Sequence, residues 1–396
     1  MDIAAQGLIF DASDAPALRR SCAFTSLCVL ADGSFLVGFR LAAGRDIPGG
    51  RLRLMGSSDG THWRTVHDGL VFDIEGITGD TYAGYLWEQT PGELLGAFVW
   101  VDRSDPCRSF VNPETTGILP TRNLLARSED GGASWKHCRE VDLGPECGCT
   151  VTGPVLEHEP GLLGLPYETW KAWDDISSGQ HTASLRWSRD GGDTWDERDI
   201  VAADPLERIL YWDQRIAIHP DNREMVAMFW THDRVQGLDL QNHMSRSDGP
   251  RGRWSQPEPV GWSGQHCQPL ALGEDRLAAV SVRRGAPGAI EIRVSEDFGR
   301  TWSHDVVEVF RVPDAGAAGP SSFEAFWQSM MTWEFGHPRA VLTPEGDILT
   351  VWYAAAPGGE QTCIGHVCAS EDGRHSGAVR GFASRVPSFS EGSGEC

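Results

Sequence analysis

Ser188-Arg189-Asp190-Gly191-Gly192-Asp193-Thr194-Trp195 follows the pattern Ser-x-Asp-x-Gly-x-Thr-Trp. In such a turn the aspartate accepts hydrogen bonds from nearby backbone N–H groups. Glycine adopts the positive φ, and serine or threonine bonds to the flanks. The tryptophan can then pack between neighbouring strands. This octet therefore predicts a tight hairpin anchored in a β-sheet.

The octet recurs along the chain. Two more full copies occupy residues 128–135 and 295–302, and a copy one residue shorter occupies residues 57–63. Decayed copies begin at Ser247 and Ser370. Six copies of one turn predict a repeat architecture.

The octet closely resembles the Asp box of sialidases (neuraminidases) and related BNR-repeat proteins. In that family each box lies between the third and fourth strands of a propeller blade. The resemblance therefore implies an all-β, six-bladed β-propeller of four-stranded antiparallel blades. The repeats cover roughly residues 20 to 380. They are specific for the fold and weak for function, because Asp boxes lie away from the active face.

We expect residues 1–386 to form a single propeller domain and the Ser/Gly/Glu-rich tail, residues 387–396, to be disordered. A propeller ring must close. We therefore expect the N-terminal segment 7–10 to pair in the last blade or its neighbour.

Charge and composition exclude some partners. The net charge is −22 and no Lys/Arg-rich run occurs, which argues against nucleic acid and anionic membrane surfaces. The N-terminus lacks the basic and apolar regions of a signal peptide, and no run is long enough to span a membrane. We therefore expect a cytoplasmic protein whose ten cysteines are reduced thiols.

Ligands of a propeller bind at one mouth of the central channel, which receives the starts of inner strands and the ends of second strands. Polar residues occupy these positions in most blades, including Arg45 and Arg284. The candidates for catalysis are Asp46, Glu168, Asp213, Asp233, His337 and Tyr353. The candidates for substrate binding are Arg40, Trp170, Arg215, His266, Gln268, Arg283 and Arg339.

These residue types suit carbohydrate chemistry. Carboxylates and imidazoles provide general acids and bases, arginines bind carboxylates or hydroxyls through forked hydrogen bonds, and tryptophans stack on sugar rings. Glu168 is the strongest carboxylate, because burial between Tyr167 and Trp170 would raise its pKa.

Each candidate also has a structural interpretation. The arginines can form ion pairs at the rim, Asp46 and Asp233 can shape turns, His266 and His337 can be satisfied core histidines, and Tyr353 can be a packing residue.

Two essential parts of the sialidase family are missing. Its Arg-Ile-Pro motif is replaced by Cys22-Ala23-Phe24, and its catalytic tyrosine position reads Gly336-His337-Pro338-Arg339. Asp46 looks like the family's catalytic aspartate, and Arg283 and Arg339 match two of its arginines loosely. The resemblance thus implies a divergent superfamily member rather than a true exo-sialidase.

The preferred hypothesis is a glycoside hydrolase that acts on a small glycoside or sugar-acid conjugate by carboxylate acid/base catalysis. The alternatives are a non-catalytic carbohydrate-binding propeller and a uronate lyase that uses His266, His337, Tyr353 and Arg339. No cofactor is predicted. No local ligand motif supports a metal site, although a metal near His232, His266 and His337 stays an alternative. The sugar, the linkage and the oligomeric state are not determined by the sequence.

Overall fold

The computed structural model describes residues 3–12, 15–144, 148–285, 287–312, 323–330, 333–355 and 361–368. Almost all regular structure in these ranges is β-strand, with a short 3-10 helix at Ala17–Arg19 and one α-helix, α1 (Phe323–Ser329). None of the described helices has both the length and the apolar character that a membrane crossing requires.

The strands form six antiparallel sheets. The chain begins with β1 (Ile3–Phe10), which joins the last sheet. The first sheet is formed by β2 (Ser21–Val29), β3 (Phe35–Ala42), β4 (Arg51–Ser57) and β5 (Arg64–Leu70). The second is formed by β6 (Gly79–Thr90), β7 (Glu93–Asp102), β8 (Thr121–Ser128) and β9 (Lys136–Glu140).

The two central sheets contain five strands each, because each includes one short additional strand. The third sheet is formed by β10 (Thr150–Val151), β11 (Leu156–Glu159), β12 (Leu162–Thr169), β13 (Thr182–Ser188) and β14 (Glu197–Ala203). The fourth is formed by β15 (Ile209–Ile218), β16 (Met225–Asp233), β17 (Leu238–Asp239), β18 (His243–Ser247) and β19 (Glu258–Pro259).

The last two sheets again contain four strands each. The fifth is formed by β20 (Gln265–Gly273), β21 (Arg276–Arg283), β22 (Gly288–Ser295) and β23 (Val306–Val312). The sixth is formed by β24 (Phe335–Leu342), β25 (Ile348–Ala355), β26 (Gln361–Cys368) and the N-terminal β1.

The all-β propeller is confirmed, but the predicted count of six blades is corrected to five. Five sheets are built from consecutive strands. The sixth is composite, in the order β1-β26-β25-β24, because its outer strand comes from the other end of the chain. The repeated octet predicts a turn in each sheet. It does not show whether all strands of that sheet are consecutive in the sequence. The last octet copy, at Ser370, and the tail 387–396 lie outside the described residues.

Ring closure by the N-terminus is confirmed. Gly7 pairs with Gly365 and Leu8 with Ile364 in the β1–β26 ladder. This pairing joins the two ends of the chain.

The second strands are the most deeply buried elements. All eight residues of β3 and all nine of β16 are buried. Strands covered on both faces read as nearly continuous apolar runs rather than as alternating patterns. The ends of these strands are therefore held by packing on both sides.

The octet at 188–195 forms the turn that its sequence predicts. Ser188 Oγ donates to Asp190 Oδ1 (2.8 Å), and Thr194 donates its N–H to the same oxygen (2.8 Å). Gly192 has a φ of 89°, and its carbonyl accepts the indole N–H of Trp195 (3.1 Å). Hydrogen bonds to its carboxylate, the strongest contribution coming from Thr194, lower the pKa of Asp190 to about 2. The copy at 128–135 repeats these contacts, so the turn is a conformational unit of the fold.

Replacing Asp190 with alanine should lower the free energy of unfolding, because several backbone and hydroxyl donors lose their acceptor. The turn is exposed, so we expect a loss of about 1 kcal/mol, at the low end for charged hydrogen bonds. Urea denaturation measures the change. Arg189→Ala, at the exposed neighbouring position, is the matched control and should change stability by less than about 0.5 kcal/mol. Equal effects of the two substitutions would contradict this account of the turn.

Candidate functional site at the channel mouth

Four inner strands contain a non-glycine residue with a left-handed backbone. Phe24 in β2, Asp213 in β15, His266 in β20 and His337 in β24 have φ values between 50° and 53°. The pairing register with the second strand shifts at each of these positions. Such a bulge re-aims a side chain, and a non-glycine residue in this region costs about 1–3 kcal/mol. All four residues line one pocket.

Aromatic rings form most of the pocket wall. Trp170, Trp212 and Trp230 are buried, and helix α1 adds Trp327. The rings of Trp170 and Trp327 lie 6.2 Å apart between centroids. The Trp170 indole is fixed by donating its N–H to the carbonyl of Thr116 (2.7 Å). The wall thus offers rigid flat surfaces of the kind on which sugar rings stack.

Two carboxyl groups with pKa shifts of opposite sign line this pocket. Burial, with the negative Asp213 nearby, raises the pKa of Glu168 to about 8, and Glu168 Oε1 accepts the N–H of Gln214 (2.7 Å). Burial by itself would also raise the pKa of Asp213. His266 and Arg215 outweigh that effect and hold the pKa of Asp213 well below its ordinary value. At neutral pH Glu168 is therefore protonated and Asp213 ionised.

Two buried imidazoles lie beside Asp213. His266 Nδ1 is 2.6 Å from Asp213 Oδ2. The rings of His266 and His337 are 5.0 Å apart. Burial lowers the pKa of both imidazoles, which are therefore neutral. Within the described residues, His266 Nε2 and His337 Nδ1 have no hydrogen-bond partner.

Besides Arg215, three guanidinium groups lie near the mouth. Arg45 lines the pocket and donates to Tyr353 Oη (2.6 Å), and Arg284 Nε donates to the side chain of Gln265 (2.8 Å). Arg339 donates to main-chain carbonyls, and burial lowers its pKa to about 9. In the part of the chain that the structure describes, none of these three arginines forms an ion pair with a carboxylate. The mouth therefore carries positive charge that an anionic ligand would neutralise.

Five of the predicted site residues line the pocket, namely Glu168, Trp170, Asp213, His266 and His337. Three others lie directly behind it. Tyr353 accepts from Arg45, and Arg215 lies 3.3 Å from Asp213 Oδ1. Arg339 spans inner strands through its bonds to Thr25 and Thr152.

Asp46 and Arg40 are not brought into the pocket lining. Asp46 accepts from Arg103 (2.9 Å) and from the N–H of Phe110 (2.7 Å). Arg40 pairs with Asp80 (3.0 Å), and all four ionic side chains are buried. The expected match of Asp46 to a catalytic aspartate therefore has no support from its position, because both of its oxygens are used within a buried network.

Three further candidates have structural contacts instead. Asp233 accepts from Arg208 Nε (2.8 Å) and from two backbone N–H groups of its own turn. Gln268 donates to a main-chain carbonyl of the neighbouring β24 (2.7 Å). Arg283 pairs with Glu291 (2.6 Å), and neither residue lines the pocket. These side chains hold sheets and turns together.

The sequence predicts Arg45 and Arg284 at the mouth, but the site candidates named from it are their neighbours Asp46 and Arg283. Arg45 lines the pocket, whereas Asp46 accepts hydrogen bonds from Arg103 and Phe110, so an error of one position exchanges a pocket residue for a structural one. His181 and Tyr82 line the pocket too and were not selected. Tyr82 lies in β6 and His181 directly precedes β13, and neither belongs to a sequence motif that indicates a ligand site.

No family model matches this sequence, and no curated protein matches it. Solved structures do share its fold. A protein of unknown function from Dyadobacter fermentans DSM 18053 has a TM-score of 0.70 at 20% identity, covering 92% of this chain and 98% of its own. The intramolecular trans-sialidase from Ruminococcus gnavus has a TM-score of 0.60 at 11% identity, covering 91% and 97%.

An α-L-arabinanase from Penicillium chrysogenum, solved with arabinobiose, gives a TM-score of 0.60 at 13% identity, covering 91% of this chain and 97% of its own. At such low identities the similarity concerns the fold. The chain therefore has the propeller fold of known glycoside hydrolases.

Glu168 should make the stability of this protein depend on pH. Its pKa of about 8 in the folded state exceeds its ordinary value of 4.5, so the folded state holds a proton that the unfolded state has lost. The free energy of unfolding should therefore fall as pH rises from 4.5 to 8. The slope should be smaller in Glu168→Gln, measured by urea denaturation with EDTA present. Identical slopes in the two proteins would contradict the assignment of a protonated Glu168.

Proposed function

We propose that this protein is a glycoside hydrolase that acts on a small glycoside carrying an anionic group, such as a sugar acid. The observation that carries the proposal is the placement of two carboxyl groups, Glu168 and Asp213, in one aromatic-walled pocket at the channel mouth. Hydrolysis of a glycosidic bond by a carboxyl pair requires one acid and one carboxylate. The fold shared with a trans-sialidase and an arabinanase supports the same reaction class.

Glu168 is assigned as the general acid. It donates its proton to the glycosidic oxygen as the bond to the sugar breaks, which lets the leaving group depart as a neutral alcohol. Asp213 is the ionised partner and acts either as a base on water or as a nucleophile. The separation of the two carboxyl groups around the bound substrate determines whether the anomeric configuration is inverted or retained.

The substrate's charge is assigned from the arginines. Arg45 and Arg284 carry guanidinium groups without a carboxylate partner among the described residues, and each retains contact with an aromatic ring that orients it. A substrate carboxylate would accept charge-assisted hydrogen bonds there. Trp170 and Trp212 line the same pocket and would border the sugar ring.

A panel of chromogenic glycosides and uronosides tests the reaction. Glu168→Gln should reduce kcat by about 10²- to 10⁴-fold on a substrate with a poor leaving group, because the proton donor is lost. Asp213→Asn should also remove turnover. Asp193→Asn, at an exposed octet position, is the control and should retain it. Turnover that survives both pocket substitutions would refute the assignment, and ultraviolet-absorbing unsaturated products would indicate elimination instead of hydrolysis.

Substitutions of the adjacent residues Arg283 and Arg284 form a matched test of whether the substrate is anionic. Arg284→Met should lower kcat/KM for a uronoside about tenfold or more, as expected for losing a charged hydrogen bond. The same substitution should affect the neutral glycoside much less. Arg283→Met should leave the ratio of the two substrates unchanged, because its guanidinium pairs with Glu291. An equal loss on both substrates in Arg284→Met would argue against an anionic substrate.

A further inference from the structure

Three side chains at the centre of the mouth have the geometry of a metal site. One oxygen of Asp213 and one nitrogen each of His266 and His337 all lie within 4.8 Å of one another. They come from the inner strands of the fourth, fifth and sixth sheets. The metal site considered as an alternative from the sequence comprised His232, His266 and His337. The structure instead places His232 Nδ1 2.8 Å from Asp239, outside this cluster.

The backbone at all three positions is in the same unfavourable conformation. Asp213, His266 and His337 have φ values of 53°, 50° and 51°, and each lies at a break in the pairing register of its strand. Three separate strands therefore adopt a costly left-handed residue to bring these side chains to one point. Strand packing by itself does not require an aspartate and two histidines to converge.

Two imidazole nitrogens in this cluster also lack partners. His266 and His337 are 4% and 2% exposed, yet His266 Nε2 and His337 Nδ1 make no hydrogen bond within the described residues. Buried polar atoms are normally satisfied, so each such exception requires an explanation. His181 in the same pocket shows the usual situation, with ring nitrogens 2.9 and 3.2 Å from the carbonyl oxygens of Tyr211 and Thr169.

We propose that Asp213, His266 and His337 bind one divalent transition-metal ion, with its remaining coordination positions open to the pocket. Two imidazoles and one carboxylate form a donor set suited to zinc, manganese or iron(II), and three protein ligands leave room for water or a substrate oxygen. A contraction of the cluster by a small side-chain movement would bring the three atoms within bonding distance of one ion.

The charge around the cluster determines what else binds. Arg215 lies 3.3 Å from Asp213 Oδ1, and Arg45 lines the same pocket. The guanidinium groups of Arg215 and Arg45 repel a metal cation. An anionic ligand such as hydroxide or a substrate carboxylate would therefore stabilise the bound ion. If the ion binds, Asp213 would be one of its ligands, and the ion would supply Lewis-acid chemistry at the pocket. The metal site itself does not depend on the proposed hydrolysis and is tested separately.

The test uses the purified full chain after dialysis against EDTA. Isothermal titration with Zn²⁺ and with Mn²⁺ alone, together with elemental analysis of the dialysed complex, should find one ion per chain for at least one of the two metals. Asp213→Asn, His266→Gln and His337→Gln should each weaken binding by more than about tenfold, since even indirect partners of a metal are worth that much. His181→Gln, also buried in this pocket, should bind as the unaltered protein does.

A second measurement does not depend on folded variants. In the ¹⁵N spectrum of the histidine rings, Zn²⁺ should shift the signals of His266 and His337 and leave that of His181 in place. Absence of binding by the unaltered protein, unshifted His266 and His337 signals, or an equal loss of affinity in His181→Gln would overturn the metal site. A protein that binds metal but hydrolyses no glycoside would refute only the proposed function.

Discussion

The channel mouth depends on one backbone distortion that four inner strands share. In a regular strand, side chains alternate between the two faces of the sheet, and a residue at the start of an inner strand would pack against a neighbouring sheet. The bulges at Phe24, Asp213, His266 and His337 interrupt this alternation and line the pocket. Their left-handed φ values are unfavourable for each residue, so the surrounding ladders must hold them. The ladders on both sides of each bulge are intact.

Electrostatics distinguish the site from the rest of the molecule. The chain carries a net charge of −22, yet the mouth gathers the guanidinium groups of Arg45, Arg215, Arg284 and Arg339 around one ionised carboxylate. The protonated Glu168 adds no negative charge there at neutral pH. A locally positive pocket in an acidic protein favours small anionic ligands and repels polyanions that would also meet the acidic surface.

Several residues support the site without lining it. The guanidinium of Arg40 donates to the carbonyls of Gly44 (3.1 Å), Arg45 (3.0 Å) and Ile47 (2.7 Å), and it pairs with Asp80. The buried ion network therefore fixes the loop that presents Arg45. Such a network is costly to desolvate unless every charge is paired, and here the pairs are close. The network therefore positions this loop. Its members Arg40 and Asp46 are charged and lie near the mouth in the sequence, so they also fitted a role in the site.

The sequence by itself determined the octet turns, the strands that flank them and the segments that reach the channel mouth. Each of these follows from local chemistry, as in the acceptor oxygens of Asp190 and the positive φ of Gly192. Closure of the ring by the N-terminal strand was predictable because a ring has no free edge.

The tertiary structure alone decided which of the candidate residues named from the sequence converge in one pocket. The convergence of Asp213, His266 and His337 spans three sheets, and the choice of Arg45 over Asp46 is a difference of one residue. A bulge reverses the direction of a side chain without a mark in the local apolar pattern. The tertiary structure also decided that two sheets contain a fifth strand, because strand pairing depends on packing rather than on the repeat.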